Sequence, residues 1–154
     1  MIRFAPLLIA AMALALPAAA QDVSHVPAVG SSAAEGRALL EPLCDRFIFA
    51  EEKALTCTWD VTGEVITASY TNKGRLYYMQ WLPGSSYIPT TKMVEDTVAA
   101  LGFSGISKPC LFYGSRVTCW QDEDGTALHY ETLSDGRLGF YLWNNQIEAA
   151  DGVD

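Results

Sequence analysis

The chain has few positive charges. Its 154 residues include ten Lys and Arg against eighteen Asp and Glu, which gives a formal net charge of −8. Proteins that bind nucleic acid need clustered cations to neutralise phosphates, so this balance argues against that class. An intrinsically disordered chain is also excluded, because half of the residues are hydrophobic and such a composition can bury a core. We therefore expect one folded domain, or two very small ones.

The chain also lacks the motifs of common enzymes. It contains no G-x-S-x-G, no H-E-x-x-H, no phosphate-binding loop and no dinucleotide fingerprint. Of its two histidines, His25 lies in a segment that we expect to be flexible, where a catalytic side chain would not be held in place. His129 leaves an alternative open, because Ser–His–Asp triads are assembled in space. We expect a non-enzymatic protein without a cofactor, and a small hydrolase that uses His129 is the alternative.

Long apolar runs are missing except at the start of the chain. Arg3 precedes an apolar run of thirteen residues, 4–16, and Ala18-Ala19-Ala20 follows it. This pattern predicts a secretory signal peptide over residues 1–20. The run is too short for a membrane anchor, which needs roughly 20 apolar residues. We expect a periplasmic or extracellular protein of a bacterium, with no membrane span after cleavage.

The chain has four cysteines, which are Cys44, Cys57, Cys110 and Cys119. Gly114-Ser115 suits the two central positions of a type II′ hairpin turn, and that register places Cys110 opposite Cys119. The remaining pair is then Cys44–Cys57. Zinc sites use closely spaced cysteines or nearby histidines, which are absent here, and an oxidising compartment favours disulfides. We expect two structural disulfides and no metal.

One acidic string is similar to part of a calcium-binding loop. Asp122, Asp124, Gly125 and Glu131 match four positions of that loop. Trp120 stands at the first ligand position, however, and cannot bind a cation. Strands instead of helices are predicted on both sides, so we interpret the string as a hairpin turn.

The predicted fold class is α+β. Residues 21–30 form the flexible lead-in, and Ser32 with Glu35 then opens a first helix with a capping box. Pro42 should kink or split that helix. A second helix is predicted over residues 91–101, and turn dipeptides indicate antiparallel hairpins elsewhere. The predicted order is one helix, three strands, one helix and four strands.

An internal repeat is predicted from the sequence. A shift of 62 positions aligns residues 56–81 with residues 118–143 at eight identities in 26 positions, including one Cys and one Trp. The prediction is a tandem pair of helix-plus-antiparallel-sheet units, each with one disulfide. The first unit covers residues 31–85, the second covers 86–147, and an acidic tail follows over 148–154.

This layout resembles the two-repeat family of β-lactamase inhibitor proteins. The resemblance covers the order of elements and the paired cysteines of each unit, Cys44/Cys57 and Cys110/Cys119. It implies a secreted protein that binds another protein with its sheet.

The repeat also predicts which face of the second unit is free. In the first unit, alternation predicts a core face of Cys57, Trp59, Ile66, Ala68, Tyr70, Tyr77, Met79 and Trp81. When this assignment is shifted by 62 positions, the predicted core of the second unit is Val117, Cys119, Leu128, Tyr130, Tyr141 and Trp143. The opposite face is then apolar and aromatic, and an exposed patch of that kind would mark a binding site. Its predicted binding residues are Tyr113, Trp120, His129, Phe140 and Leu142. Packing of this face within the molecule or in a dimer is the alternative, and a register slip by one residue would exchange the two faces.

These features favour a non-enzymatic protein-binding domain with an inhibitor or immunity-type role. The acidic balance suggests a cationic partner, because opposite charge speeds encounter. A structural or assembly accessory of the cell envelope is the first alternative, ahead of the His129 hydrolase. Binding of a small molecule between the two units is also open.

Overall fold

The computed structural model describes residues 22–85 and 89–153, so the predicted signal peptide lies outside the described residues. Within these residues the chain forms three helices and one eight-stranded antiparallel sheet, an α+β fold. The elements in chain order are α1 (Ala33–Leu40), β1 (Arg46–Ala50), β2 (Ala54–Thr58), β3 (Val65–Tyr70), β4 (Leu76–Leu82), α2 (Thr91–Ala100), β5 (Lys108–Phe112), β6 (Ser115–Gln121), β7 (Ala127–Thr132), β8 (Leu138–Trp143) and α3 (Asn145–Asp151).

The strands lie in the order β1-β2-β3-β4-β8-β7-β6-β5. Each half of the chain contributes one helix followed by four strands, and β4 pairs with β8 in the middle of the sheet. The two predicted units therefore share one sheet, and do not form separate sheets. The edges of the sheet are β1 and β5.

The first half contains a strand that the sequence analysis missed. The capping box of Ser32 and Glu35 is present, and α1 ends at Leu40, before Pro42. The chain then enters β1, where Phe47 and Phe49 alternate with exposed neighbours. The first half therefore has four strands, where three were predicted.

One face of the sheet, here called the helical side, is covered by α1 and α2. A single apolar cluster joins both helices to strands from both halves of the chain. Trp81 of β4 stacks on Phe140 of β8 with ring centroids 5.2 Å apart, and both side chains are fully buried. The main core thus lies across the boundary between the two predicted units. Its largest fully buried residues are Trp81, Phe140, Leu40, Leu55, Ile66, Leu76, Met79 and Leu128.

A bulge interrupts the predicted alternation of faces in the β3–β4 hairpin. Tyr70 pairs with Leu76 and Ser69 pairs with Tyr78, so Tyr77 is an extra residue on β4. Leu76 is consequently fully buried and Tyr77 is only half-buried. The prediction that Tyr77 lies in the core was wrong for this reason.

The segment before α1 packs against the domain, which differs from the flexible lead-in that we predicted. Val23, Val26 and Val29 contact the main core. The Gly30 N–H donates to the Leu76 carbonyl at 2.8 Å. These contacts fix the segment over residues 22–30, including His25.

The predicted acidic tail is also ordered in part. Its residues 148–151 belong to α3, and the Asp151 carboxylate accepts from the Arg75 guanidinium at 2.5 and 2.9 Å. The Arg75 guanidinium holds the pKa of the Asp151 carboxyl well below its usual range. This ion pair anchors the C-terminal helix to the β3–β4 turn.

Both predicted disulfides are present. Cys44, which follows α1, is bonded to Cys57 on β2 with Cα atoms 5.5 Å apart, and Cys110 on β5 is bonded to Cys119 on β6. No helix in the described ranges is long and apolar enough to cross a bilayer.

Candidate functional site

The β5–β6 hairpin turns one residue earlier than predicted. Tyr113 and Gly114 form the turn with φ angles of 44° and 83°, and two positive φ values are typical of a type I′ turn. Phe112 therefore faces Ser115, and Cys110 faces Val117 instead of Cys119. The register differs from the prediction by two residues, which leaves every side chain on its predicted face of the hairpin.

The disulfide prediction was right although the register was wrong. Cys119 lies two positions beyond Val117 on the same face as Cys110, and the bond runs diagonally between Cα atoms 6.1 Å apart. We call this bond the hairpin disulfide. It cross-links the two strands at their base.

The hairpin forms one end of the sheet and curls over the side opposite the helices. β6 pairs with β7 only at Trp120 and Gln121. Phe112, near the hairpin tip, lies 4.7 Å from the Trp143 ring and 6.2 Å from the Tyr78 ring, measured between centroids. A second apolar cluster, separate from the main core, forms beneath the hairpin. One side of the hairpin is therefore fixed on the sheet.

The outward side of the hairpin is exposed and apolar. We define the docking face as Pro109, Leu111, Tyr113 and Arg116. Tyr113 lies at the turn, and its ring also contacts Tyr78 edge-on with centroids 5.8 Å apart. Leu111 is 60% exposed and Tyr113 is 65% exposed, while Ile106, just before β5, is 95% exposed. Three of the seven large exposed apolar residues in the described ranges thus lie within residues 106–113. Single exposed apolar residues are common, but such clusters indicate interaction surfaces.

A groove of about 500 Å³ follows the free edge of β5. Four consecutive residues of that strand line it, and Trp143 forms part of its floor. Amide side chains of Gln121, Asn145 and Gln146 complete the lining. The groove therefore combines an apolar floor with hydrogen-bonding groups beside an unpaired strand edge.

The five residues that were predicted to form the binding surface differ in their exposure to solvent. Tyr113 is exposed, and Trp120 and His129 are half-buried. Phe140 is fully buried and Leu142 is 5% exposed, both in the main core. The prediction that Phe140 and Leu142 face outward was therefore wrong, and neither can form part of a docking surface.

The reason is that β8 is buried on both sides. Phe140 and Leu142 lie beneath the helices, and Tyr141 and Trp143 lie beneath the hairpin. All six residues of β8 are buried. Alternation cannot identify the outer face of such a strand, because both faces are apolar. Transfer by 62 positions therefore assigned the helical side of β8 to solvent.

His129 is held as a link between strands. Its Nδ1–H donates to the Thr118 carbonyl at 2.9 Å, because a carbonyl oxygen can only accept. This bond extends the short β6–β7 pairing. Its Nε2 lies 4.0 Å from a Glu131 carboxylate oxygen. Within residues 22–85 and 89–153, neither histidine is hydrogen-bonded to a serine or threonine hydroxyl.

His25 is hydrogen-bonded to Glu64, a contact that the sequence analysis did not predict. Its Nε2–H donates to Glu64 Oε1 at 2.6 Å, and the Trp81 Nε1–H donates to the same oxygen at 2.7 Å. The side chains of His25 and Glu64 are only 15% and 11% exposed. The hydrogen bond to Glu64 raises the pKa of His25 above its ordinary value, although burial opposes the shift. This pair ties the N-terminal segment to the sheet.

The acidic string forms the β6–β7 turn. The Thr126 N–H donates to Asp122 and Asp124 carboxylate oxygens at 2.8 and 2.9 Å. No group of His, Cys, Asp and Glu side chains in the part of the chain that the structure describes is arranged to hold a metal ion.

Comparison of the chain with models of known protein families, with curated proteins and with solved structures gives no match.

Proposed function

We propose that this protein is a secreted, non-enzymatic binding domain that holds another protein on the docking face of the β5–β6 hairpin. The observation that supports this proposal is the exposure of Leu111 and Tyr113 on a hairpin whose opposite side is packed on the sheet. A surface that is already ordered loses little conformational freedom on binding, which favours affinity. An inhibitor or immunity-type role fits such a rigid surface.

The contacts of the two histidines support this proposal over a hydrolase. His129 uses its Nδ1–H on a backbone carbonyl, and His25 uses its Nε2–H on Glu64. Nucleophilic catalysis needs a hydroxyl or thiol within hydrogen-bond reach of the base. The contacts of both rings are those of structural links.

The predicted tandem repeat is part of the same proposal. A helix followed by four strands in each half, with β4 beside β8, supports descent from one duplicated unit. The strand β1 also gives the first half the extra strand before Cys57 that the sequence analysis did not find. The resemblance to the β-lactamase inhibitor proteins remains a proposal about layout. Two disulfides support the proposed periplasmic or extracellular location.

The experiment that tests this proposal is a comparative affinity capture. Oxidised protein covering residues 21–154 would be the bait in envelope extract of cells that produce it. The test variant is Leu111→Ser with Tyr113→Ser. The matched control is Ile48→Ser, because Ile48 is 64% exposed but lies on β1 at the opposite edge of the sheet.

We expect a protein that is retained by the wild type and by Ile48→Ser but lost with the double variant. Circular dichroism and unfolding curves would verify that all three chains are folded. Retention of every bound protein by the double variant would overturn the proposed docking face. A stable complex through β1 instead would favour the accessory-protein alternative.

A further inference from the structure

The charges on the hairpin differ from those of the rest of the protein. Residues 103–121 contain Lys108 and Arg116 and no Asp or Glu, although the whole chain has a formal net charge of −8. Both cationic side chains belong to exposed residues. Arg116 pairs directly with Leu111 across the hairpin, and Lys108 lines the groove at the edge of β5.

Most other cations of the described chain are neutralised by ion pairs. Arg37, Arg46, Lys73, Arg75, Lys92 and Arg137 each contact a carboxylate. Within residues 22–85 and 89–153, Lys108 and Arg116 form no salt bridge. In an acidic protein, where carboxylates are abundant, two unpaired cations on one exposed apolar hairpin are a local exception.

We infer that the occupant of the docking face is an acidic segment of the partner protein, bound in extended form along the free edge of β5. This inference depends on the proposed function. Carboxylates of the segment would meet Lys108 and Arg116, and its apolar side chains would contact Leu111 and the floor of the groove. An unpaired strand edge can accept an added strand through main-chain hydrogen bonds. Pro109 has no N–H and limits that pairing to part of the strand.

The inference reverses the partner charge that the sequence alone suggests. Net charge describes the field of the whole molecule and governs encounter at long range. Contact specificity depends on the charges at the interface itself. Lys108 and Arg116 supply two positive charges there, and Glu148 of α3 supplies one negative charge near Tyr113. An acidic segment is therefore the complementary ligand, although the domain as a whole repels acidic proteins.

The test uses a library of random short peptides displayed on phage and selected on the oxidised protein. Counter-selection uses the folded variant Leu111→Ser with Tyr113→Ser, so that only peptides bound at the docking face are kept. We expect the enriched peptides to combine Asp or Glu with apolar residues. Neutral or basic enriched peptides would overturn the acidic assignment and leave the docking face in place.

The charge dependence of one enriched peptide would then be measured by fluorescence anisotropy. Lys108→Gln with Arg116→Gln should weaken its binding about two- to fivefold for each charge removed, with a smaller effect at high salt. The matched control is Arg37→Gln with Lys92→Gln, which changes the net charge equally but removes cations that lie in ion pairs. Equal weakening in both double variants would overturn the inference, because only the net charge would then matter.

The last part of the test uses vesicles of phosphatidylglycerol, because exposed apolar and cationic side chains can also bind an anionic membrane. The inference predicts no binding of the wild-type protein to these vesicles. Binding that disappears with Lys108→Gln and Arg116→Gln, together with no peptide enrichment, would replace the acidic segment by a lipid surface. If every enriched peptide binds outside the docking face, the inference is overturned. The affinity capture then still tests the proposed function.

Discussion

Phe140→Ala tests the assignment of the helical side most directly. Phe140 is fully buried and stacks on Trp81 at 5.2 Å, in the middle of the sheet. Loss of the ring removes about 1.5–3 kcal/mol of burial and about 0.5–1.5 kcal/mol of ring pairing, and it leaves a cavity. Together these effects should lower the free energy of unfolding by about 3–5 kcal/mol. An exposed Phe140, as the repeat predicted, would give almost no change.

The assay is urea unfolding of the oxidised protein followed by tryptophan fluorescence. With a slope of about 1–3 kcal/mol per molar urea, the midpoint should fall by roughly 2 M. The control is Leu111→Ala, since Leu111 is 60% exposed, and its effect should stay within about 0.5 kcal/mol. A loss below about 1 kcal/mol for Phe140→Ala would refute the burial argument, because fully buried aromatic residues cost more than that.

Gly36→Ala should cost about 1–3 kcal/mol in thermal unfolding, because its Cβ would overlap the Tyr70 hydroxyl; Tyr70→Phe in the same chain should restore most of the loss. The pKa of the His25 imidazole should lie above 6.5 by NMR and should fall in Glu64→Gln, where burial is opposed only by the charge of Asp22. The stability from this pair is accordingly full below pH 6.5 and is lost as the pH rises through the raised pKa; an equal pKa in both chains would contradict the pairing. Cys110→Ser with Cys119→Ser should lower the free energy of unfolding in denaturant by about 2–3 kcal/mol. An unchanged midpoint would show that the packing beneath the hairpin is sufficient to hold the hairpin on the sheet.

Local features of the fold were predicted better than the sides of the strands that face the core. The capping box at Ser32 and the Cys110–Cys119 pair were predicted from neighbours close in the chain, and Cys44–Cys57 followed as the remaining pair. The pairing of Cys110 with Cys119 was confirmed despite the displaced turn, since a shift by two residues keeps both cysteines on one side of the hairpin.

Features that depend on distant contacts could not be predicted. Nothing near His25 indicates that Glu64, 39 positions later, will hold it. The bulge at Tyr77 and the folding of the hairpin over β8 both depend on tertiary packing. The side of β8 that the repeat assigned to solvent is accordingly packed within the molecule, which was the stated alternative, and of the five predicted binding residues only Tyr113 is exposed.

The central claim, that the outward side of the hairpin binds a partner, is tested most directly by hydrogen–deuterium exchange. Backbone amides of β5 and β1 would be compared in the free protein and in the complex with the partner identified by capture. The proposed function predicts slower exchange in β5 and unchanged exchange in β1, the opposite edge of the sheet. Unchanged exchange in β5, or slowing confined to β1, would contradict it.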